Sequence, residues 1–284
     1  MPELPEVEVL VRHLGPLLQG QIIRGVRVRR AKVVAPVSIP RFTQVLRGAT
    51  FRGLTRRGKY LLFKLQKPEQ AEPLVLMGHL GMTGRIYLVP ANTLLPRHAA
   101  VVLSLGRKDF VFEDTRYFGH LTLDTSALAR LGPEPLGEEF TVAGFAKGLS
   151  RSRQPIKVKL LDQSLLAGVG NIYASEALFR ARITPTLPAR KLTAPQVRRL
   201  WRAVRTVLRE AIDCGSTVPL NYAGTGVRDG LFYFGRAPGA PDFYEERLRV
   251  YDRAGRPCPK CGRPIRRRVQ AARSTFYCPR CQRG

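Results

Sequence analysis

Acidic side chains are scarce in this chain: 21 Asp and Glu stand against 48 Lys and Arg, for a formal net charge of +27. The imbalance points to a polyanionic partner, bound with an affinity that falls steeply with salt. Heat adaptation would enrich charges of both signs, and here only one is enriched. Long apolar runs are also lacking. None approaches the ~20 residues that span a bilayer, and no basic amphipathic stretch stands alone. The first residues have neither the basic segment nor the apolar run of a secretory leader. These absences exclude a membrane protein and predict a cytoplasmic one. Cysteine is sparse, with five in 284 residues, which excludes a disulfide scaffold. In a reducing compartment, paired cysteines point to metal instead.

What is present suggests more than one core, because 284 residues exceed the usual single domain. From Glu6 to Gln19, Val7, Leu10, Val11, Leu14 and Leu18 recur at helical spacing. Pro5 suits the first helical position, Glu6 and Glu8 suit the positive end of the helix dipole, and Pro16 should kink the last turn before Gly20. Residues 21 to 125 read as strands: IIRGVRV, ATFRGL, KYLLFKL, VVLSL, DFVFED and HLTLD are short, β-branched or aromatic, and separated by Gly and charged pairs. Such spacing predicts a sandwich or barrel. LGPEPLGEEF (131–140) reads as a linker. Helical patterns follow in KVKLLDQSLLAG and NIYASEALFRAR, joined through GVG. Thr193 and Gln196 then form a capping box opening a long helix with Val197, Leu200, Trp201, Val204, Leu208, Ala211 and Ile212 on its core face. Residues 215–246 have no period and read as a loop.

Two motifs carry chemistry. Cys258 and Cys261 form one C-x2-C pair and Cys278 and Cys281 another, a spacing that brings four thiolates together on one structural Zn²⁺. Between them lie Arg266, Arg267, Arg268 and Arg273, near enough to meet phosphates. Cys214, outside the pattern, reads as a small buried apolar residue. The second motif is LLDQSLLAGVGNIYASEALF (160–179). Gly168 and Gly170 leave room for a phosphate to approach backbone N–H groups, and Asn171 can cap the next helix or donate to the same phosphate.

Together with PELPEVE at the start, RRGKYL (56–61) and HLGMTG (79–84), these motifs resemble, in order and along the whole chain, the formamidopyrimidine-DNA glycosylase/endonuclease VIII family of bifunctional DNA glycosylase/AP lyases. The resemblance implies an α+β, multidomain fold: an N-terminal β-sandwich with a leading helix (1–130), a linker (131–140), a helix–two-turns–helix domain with a lesion-covering loop (141–246), and a C-terminal β-hairpin zinc finger (247–284). It implies removal of oxidised purines, 8-oxoguanine and formamidopyrimidines, from duplex DNA, followed by β,δ-elimination. The rival readings are an endonuclease VIII-like specificity for oxidised pyrimidines, a non-catalytic damaged-DNA-binding protein, and a plain zinc-ribbon nucleic-acid module.

Residue by residue, the resemblance makes Pro2 the nucleophile once Met1 is trimmed. An α-amino group has a pKa near 7.7–8.0, so about one in ten is neutral at pH 7, far more than for an ordinary lysine. Glu3 becomes the acid/base carboxylate, Glu6 a second acidic position near the site, Lys59 the lysine that contacts phosphate and assists β-elimination, and Arg273 the arginine that grips phosphate. Met82, Arg116 and Phe118 match the gap-filling trio, while His79, His98, Arg151 and Asn171 match DNA contacts. The implied partner is damaged double-stranded DNA, met by a monomer in a bacterial nucleoid, with no small-molecule cofactor. The chain departs from the family at CGSTVPLNYAGTGVRDG (214–230), in the loop expected to read the damaged base, and in VEVLVRHL of the first helix.

Overall fold

The computed structural model describes residues 2–68, 72–214 and 248–283, which divide into two compact units. The first holds Pro2 and residues 6–129; the second holds residues 3–5, 130–214 and 248–283. The loop expected at 215–246 lies outside the described residues. No described helix is long and apolar enough to cross a membrane.

Helix α1 (Leu4–Leu18) begins one residue before Pro5 and carries Pro16 inside its last turn. Its residues serve both units: Leu4 joins the core of the second, and Val7, Leu10, Leu14 and Leu18 join the core of the first.

In the first unit eight strands follow: β1 (Gly25–Val28), β2 (Thr50–Arg57), β3 (Tyr60–Gln66), β4 (Leu74–His79), β5 (Gly84–Pro90), β6 (Ala99–Ser104), β7 (Lys108–Asp114) and β8 (His120–Thr122). They form two antiparallel sheets ordered β1-β6-β7-β5 and β2-β3-β4-β8. The alternation of buried and exposed positions along β3 and β5 is what a half-buried strand requires. Phe51, Phe63 and Phe110 meet edge to face and stacked between the sheets, with centroids 5.5–6.3 Å apart. Two registers matter for function. Gly84 pairs with Asp114, so the HLGMTG and DTRYFG loops leave adjacent strand ends. His79 lies between Tyr60 and His120.

The structure departs from the all-strand expectation for residues 21–125 at α2 (Ala31–Val34) and α3 (Ile39–Leu46). Helix α3 has its own start signal: Ser38 Oγ accepts from Arg41 N, Pro40 sits in the first turn, and Phe42, Val45 and Leu46 bury one face.

The second unit contains α4 (Val142–Leu149), α5 (Ile156–Lys159), α6 (Asn171–Ala181), α7 (Ala194–Asp213) and the hairpin β9 (Arg266–Gln270) and β10 (Arg273–Tyr277). The helix expected over KVKLLDQSLLAG is only one turn long. Asp162 stops it by accepting from Lys159 Nζ (2.7 Å), Ser164 N (2.9 Å) and Ser164 Oγ (2.6 Å), a local alternative to helical bonding. The capping box of α7 is present as expected, with Thr193 and Gln196 bonding reciprocally. Trp201 is half-buried at the edge of the core, its Nε1–H donating to Phe140 O at 2.7 Å. Residues 131–140 are held to α7: Arg205 donates to the carbonyls of Pro135, Leu136 and Gly137 at 2.9–3.4 Å.

Candidate active site and nucleic-acid interface

Glu3 is buried in the second unit at the start of α6. One carboxylate oxygen accepts from Gly170 N (2.8 Å) and Tyr173 N (3.3 Å), and the other from Ile172 N (2.8 Å). The first amides of a helix have no intrahelical acceptor, and here a carboxylate from the far end of the chain satisfies them while meeting the positive end of the helix dipole. Leu4 N donates to Gly168 O at 3.1 Å, completing the dock.

This corrects the phosphate reading of the GVG turn. Gly168 N donates to Gln163 Oε1 at 2.9 Å, and Gly170 N is taken by Glu3. A Cβ on Gly170 would lie 2.4 Å from Glu3 Cδ, and one on Gly168 would lie 2.7 Å from the Leu4 side chain. The glycines admit the chain's own start rather than a phosphate. Asn171 is likewise not the cap of α6, whose N-cap is Gly170. Its Oδ1 accepts from Lys157 Nζ and its Nδ2 donates to Ser274 O (3.0 Å).

Lys157, which the sequence did not single out, is fully buried. Burial, and then the charge of Arg273, bring it down to about 8, while Glu3 acts in the opposite sense. Arg273 itself opens β10 and is exposed. Tyr251 bonds Asn171 through its side chain, and burial pushes its phenol up. The buried carboxylate of Glu176 on α6 accepts from the backbone N–H of Arg249, Val250 and Tyr251 at 2.8–3.0 Å. Burial raises its pKa against those bonds. Arg151 is exposed just beyond α4.

In the first unit, Pro2 is buried and Glu6, in the first turn of α1, is fully buried. Glu8 bridges Arg12 and Arg56, both at 2.9 Å. Burial alone would raise its carboxyl, and the two guanidinium groups hold it below the usual range. Arg56 Nη1 also donates to Gly58 O at 3.3 Å, fixing the turn with positive φ at Gly58 that presents Lys59. Lys59 is only 8% exposed. Its charge reaches His79, whose pKa falls to about 4 through burial first and then through Lys59 and His120. His79 Nδ1 accepts from Gly81 N at 3.1 Å, so the neutral ring carries its proton on Nε2.

Met82 and Phe118 are large apolar side chains left 44% and 46% exposed. Arg116 lies between them, Nη1 donating to Met82 Sδ at 3.3 Å and the guanidinium 4.7 Å from the Phe118 ring centre. His98 is partly buried against Tyr117, its Nδ1 3.3 Å from the phenol oxygen.

The sulfurs of Cys258, Cys261, Cys278 and Cys281 all lie within 4.8 Å of one another. Sulfurs held tetrahedrally at the 2.3 Å zinc bond length are about 3.8 Å apart, and the observed pairs at 3.5 and 3.9 Å fit. Lys260 N and Cys281 N each donate to a cysteine sulfur at 3.4 Å, as ligand-orienting amides do. Burial and the neighbouring sulfurs push Cys281 up to about 12, so four thiolates require a cation among them. The donor set suits one structural Zn²⁺. Among the described residues, the core around it is small: Phe179, Val250, Ile265 and Phe276, with Tyr251 against them. Removing the metal should therefore release the β9–β10 hairpin and with it Arg273. Chelated, verified zinc-free protein is expected to bind duplex DNA at least about tenfold more weakly, since several phosphate contacts go together. Unchanged affinity in a filter-binding titration would contradict this.

Comparison with known proteins gives a consistent result. The family model described as the formamidopyrimidine-DNA glycosylase N-terminal domain matches residues 1–121, the formamidopyrimidine-DNA glycosylase H2TH domain matches residues 131–220, and the zinc finger found in FPG and IleRS matches residues 255–284. A formamidopyrimidine-DNA glycosylase of Thermus thermophilus is 44% identical over 290 residues, covering 99% of this chain and 98% of the relative. The crystal structure of a MutM (Fpg) protein from Thermus thermophilus is 43% identical, with a TM-score of 0.82 over 99% of this chain and 98% of that one. Wild-type Lactococcus lactis Fpg (MutM) in complex with N7-benzyl-Fapy-dG DNA is 30% identical, with a TM-score of 0.86 over the full length of both chains.

Proposed function

The chain belongs to the formamidopyrimidine-DNA glycosylase family, and from that membership we propose that its docked amino-terminal segment is the reacting end of the enzyme. The protein is a bifunctional DNA glycosylase/AP lyase that removes oxidised purines in base-excision repair. Its partner is damaged duplex DNA.

The observation that carries the residue assignment is the seat of Glu3 on α6, because it fixes the residue next to Pro2. With Met1 removed, the neutral Pro2 nitrogen attacks C1′ of the damaged nucleotide, and the bond from C1′ to the base breaks, the base leaving with the bonding electrons and taking a proton from water. The attacking nitrogen must lose a proton. The carboxylate of Glu3, next to it in sequence, collects that proton and delivers it to the ring oxygen as the sugar opens. The product is an iminium, whose positive charge draws electrons from the C2′–H bond. Loss of that proton expels the 3′ phosphate, and a second elimination expels the 5′ phosphate.

Lys59 stabilises the phosphate leaving first, and Arg273, supported by Lys157 and Asn171, the second; a guanidinium binds phosphate oxygens in pairs. His79 offers Nε2–H as a neutral donor to the backbone, and His98, Arg151 and Asn171 add contacts. Met82, Arg116 and Phe118 fill the gap left by the extruded nucleotide. Exposed apolar side chains braced by a cation suit that task. Incubation with duplex containing 8-oxoguanine opposite cytosine, plus borohydride, should trap a covalent protein–DNA adduct. Absence of an adduct with any oxidised purine would refute the lyase step.

A further inference from the structure

Asp114 takes no part in the chemistry above, yet it is a fully buried carboxylate beneath the gap-filling side chains. Its Oδ1 accepts from Thr83 Oγ1 at 2.5 Å and from Arg116 N at 3.1 Å, and its Oδ2 accepts from Gly119 N at 2.7 Å. Thr83 follows Met82 in one loop, while Arg116 and Gly119 bracket Phe118 in the other. We propose that Asp114 is a positioning residue that clamps these two loops into a single wedge, so that Met82, Arg116 and Phe118 enter the duplex as one preformed body.

The surrounding geometry supports a clamp. The loops touch through glycines: a Cβ on Gly81 would lie 2.6 Å from Gly119 N, and one on Gly119 would lie 2.7 Å from His79 O. Strand pairing joins the two loops at their roots, Gly84 to Asp114 and His79 to His120; between those roots neither loop belongs to the ladder, and the carboxylate ties them there. A wedge must hold its shape while it displaces stacked bases, because each side chain that had to be ordered on entry would reduce the driving force for extrusion. A carboxylate is suited to the role, since its two oxygens accept from all three donors at once. An amide cannot: with its NH2 toward Thr83, whose hydroxyl can turn to accept, it opposes Arg116 N–H.

The inference rests on the gap-filling role assigned under Proposed function, and the test separates the two. Wild type, Asp114→Asn, Thr83→Val and Thr83→Ser are compared in single-turnover borohydride trapping on two substrates. One is 8-oxoguanine opposite cytosine in a fully paired duplex. The other is an abasic site inside a three-base bubble, where no stacked pair has to be displaced. Asp114→Asn should lose at least about tenfold on the paired lesion but no more than about threefold on the bubble. Thr83→Val should follow the same pattern more weakly, and Thr83→Ser should restore the paired rate. Thr83→Val changes a half-buried surface loop and keeps the test alive should Asp114→Asn fold poorly. An equal loss on both substrates would mean a general structural role and overturn the proposal, as would no loss on either. Wild type failing on both substrates would instead sink the lyase assignment itself.

Discussion

A chain carrying one extra residue ahead of Pro2 is expected to form no trapped adduct and to cleave damaged DNA at least about 10⁴-fold more slowly than the trimmed protein, the scale of loss when a nucleophile is removed. The reason is electronic first. In a peptide bond the proline nitrogen shares its lone pair with the carbonyl and cannot attack carbon. Neither buried lysine described above is a ready substitute: Lys59 is only 8% exposed, and Lys157 is engaged with Asn171 and Ser274. Affinity for damaged duplex should change only a few fold, because the phosphate contacts lie elsewhere. Mass spectrometry of the amino terminus alongside single-turnover cleavage checks the prediction. A capped chain that still trapped sugar would remove Pro2 from the mechanism.

Glu3→Gln is expected to slow excision of an intact lesion by about a thousandfold or more while leaving DNA affinity within a few fold. Two losses combine. Three backbone N–H groups converge on the carboxylate, and whichever way a glutamine amide turns, its NH2 faces a donor. Leaving a buried donor unsatisfied costs about 1–3 kcal/mol, which loosens the seat that fixes Pro2. The amide also cannot relay a proton, an effect of about 10²–10⁴-fold. On a preformed abasic site, whose sugar opens to the aldehyde without help, the loss should be smaller. Full excision by the variant, measured on 8-oxoguanine opposite cytosine, would show that the carboxylate is dispensable.

The parts legible in the sequence are those whose signal is local. Cys258, Cys261, Cys278 and Cys281 announce a metal site by spacing alone, and Thr193 with Gln196 announces the start of α7. The GVG turn is instructive because its glycines do mark a close approach but do not say what approaches. The visiting group is Glu3, some 170 positions away, and pairings at that distance leave no periodic trace. The apolar spacing of residues 157–168 suggests a longer helix than forms, because it takes no account of Asp162, whose side chain competes with the backbone. Met82 and Phe118 would be core residues by composition, and only the family resemblance places them outside. Lys157, Glu176 and Asp114 carry no signal of their own, since burial of a charged residue is visible only once its partners are.

The bonds between Glu176 and residues 249–251 have a consequence for how such an enzyme can change over generations. Helix α7 closes at Cys214, and the chain is fastened again where Glu176 grips its backbone. Because Glu176 lies on α6, the anchorage of residues 249–251 does not depend on which residues stand at 215–247, and substitutions there can accumulate without loosening it. That stretch contains VPLNYAG, where the sequence departs from the family's pattern.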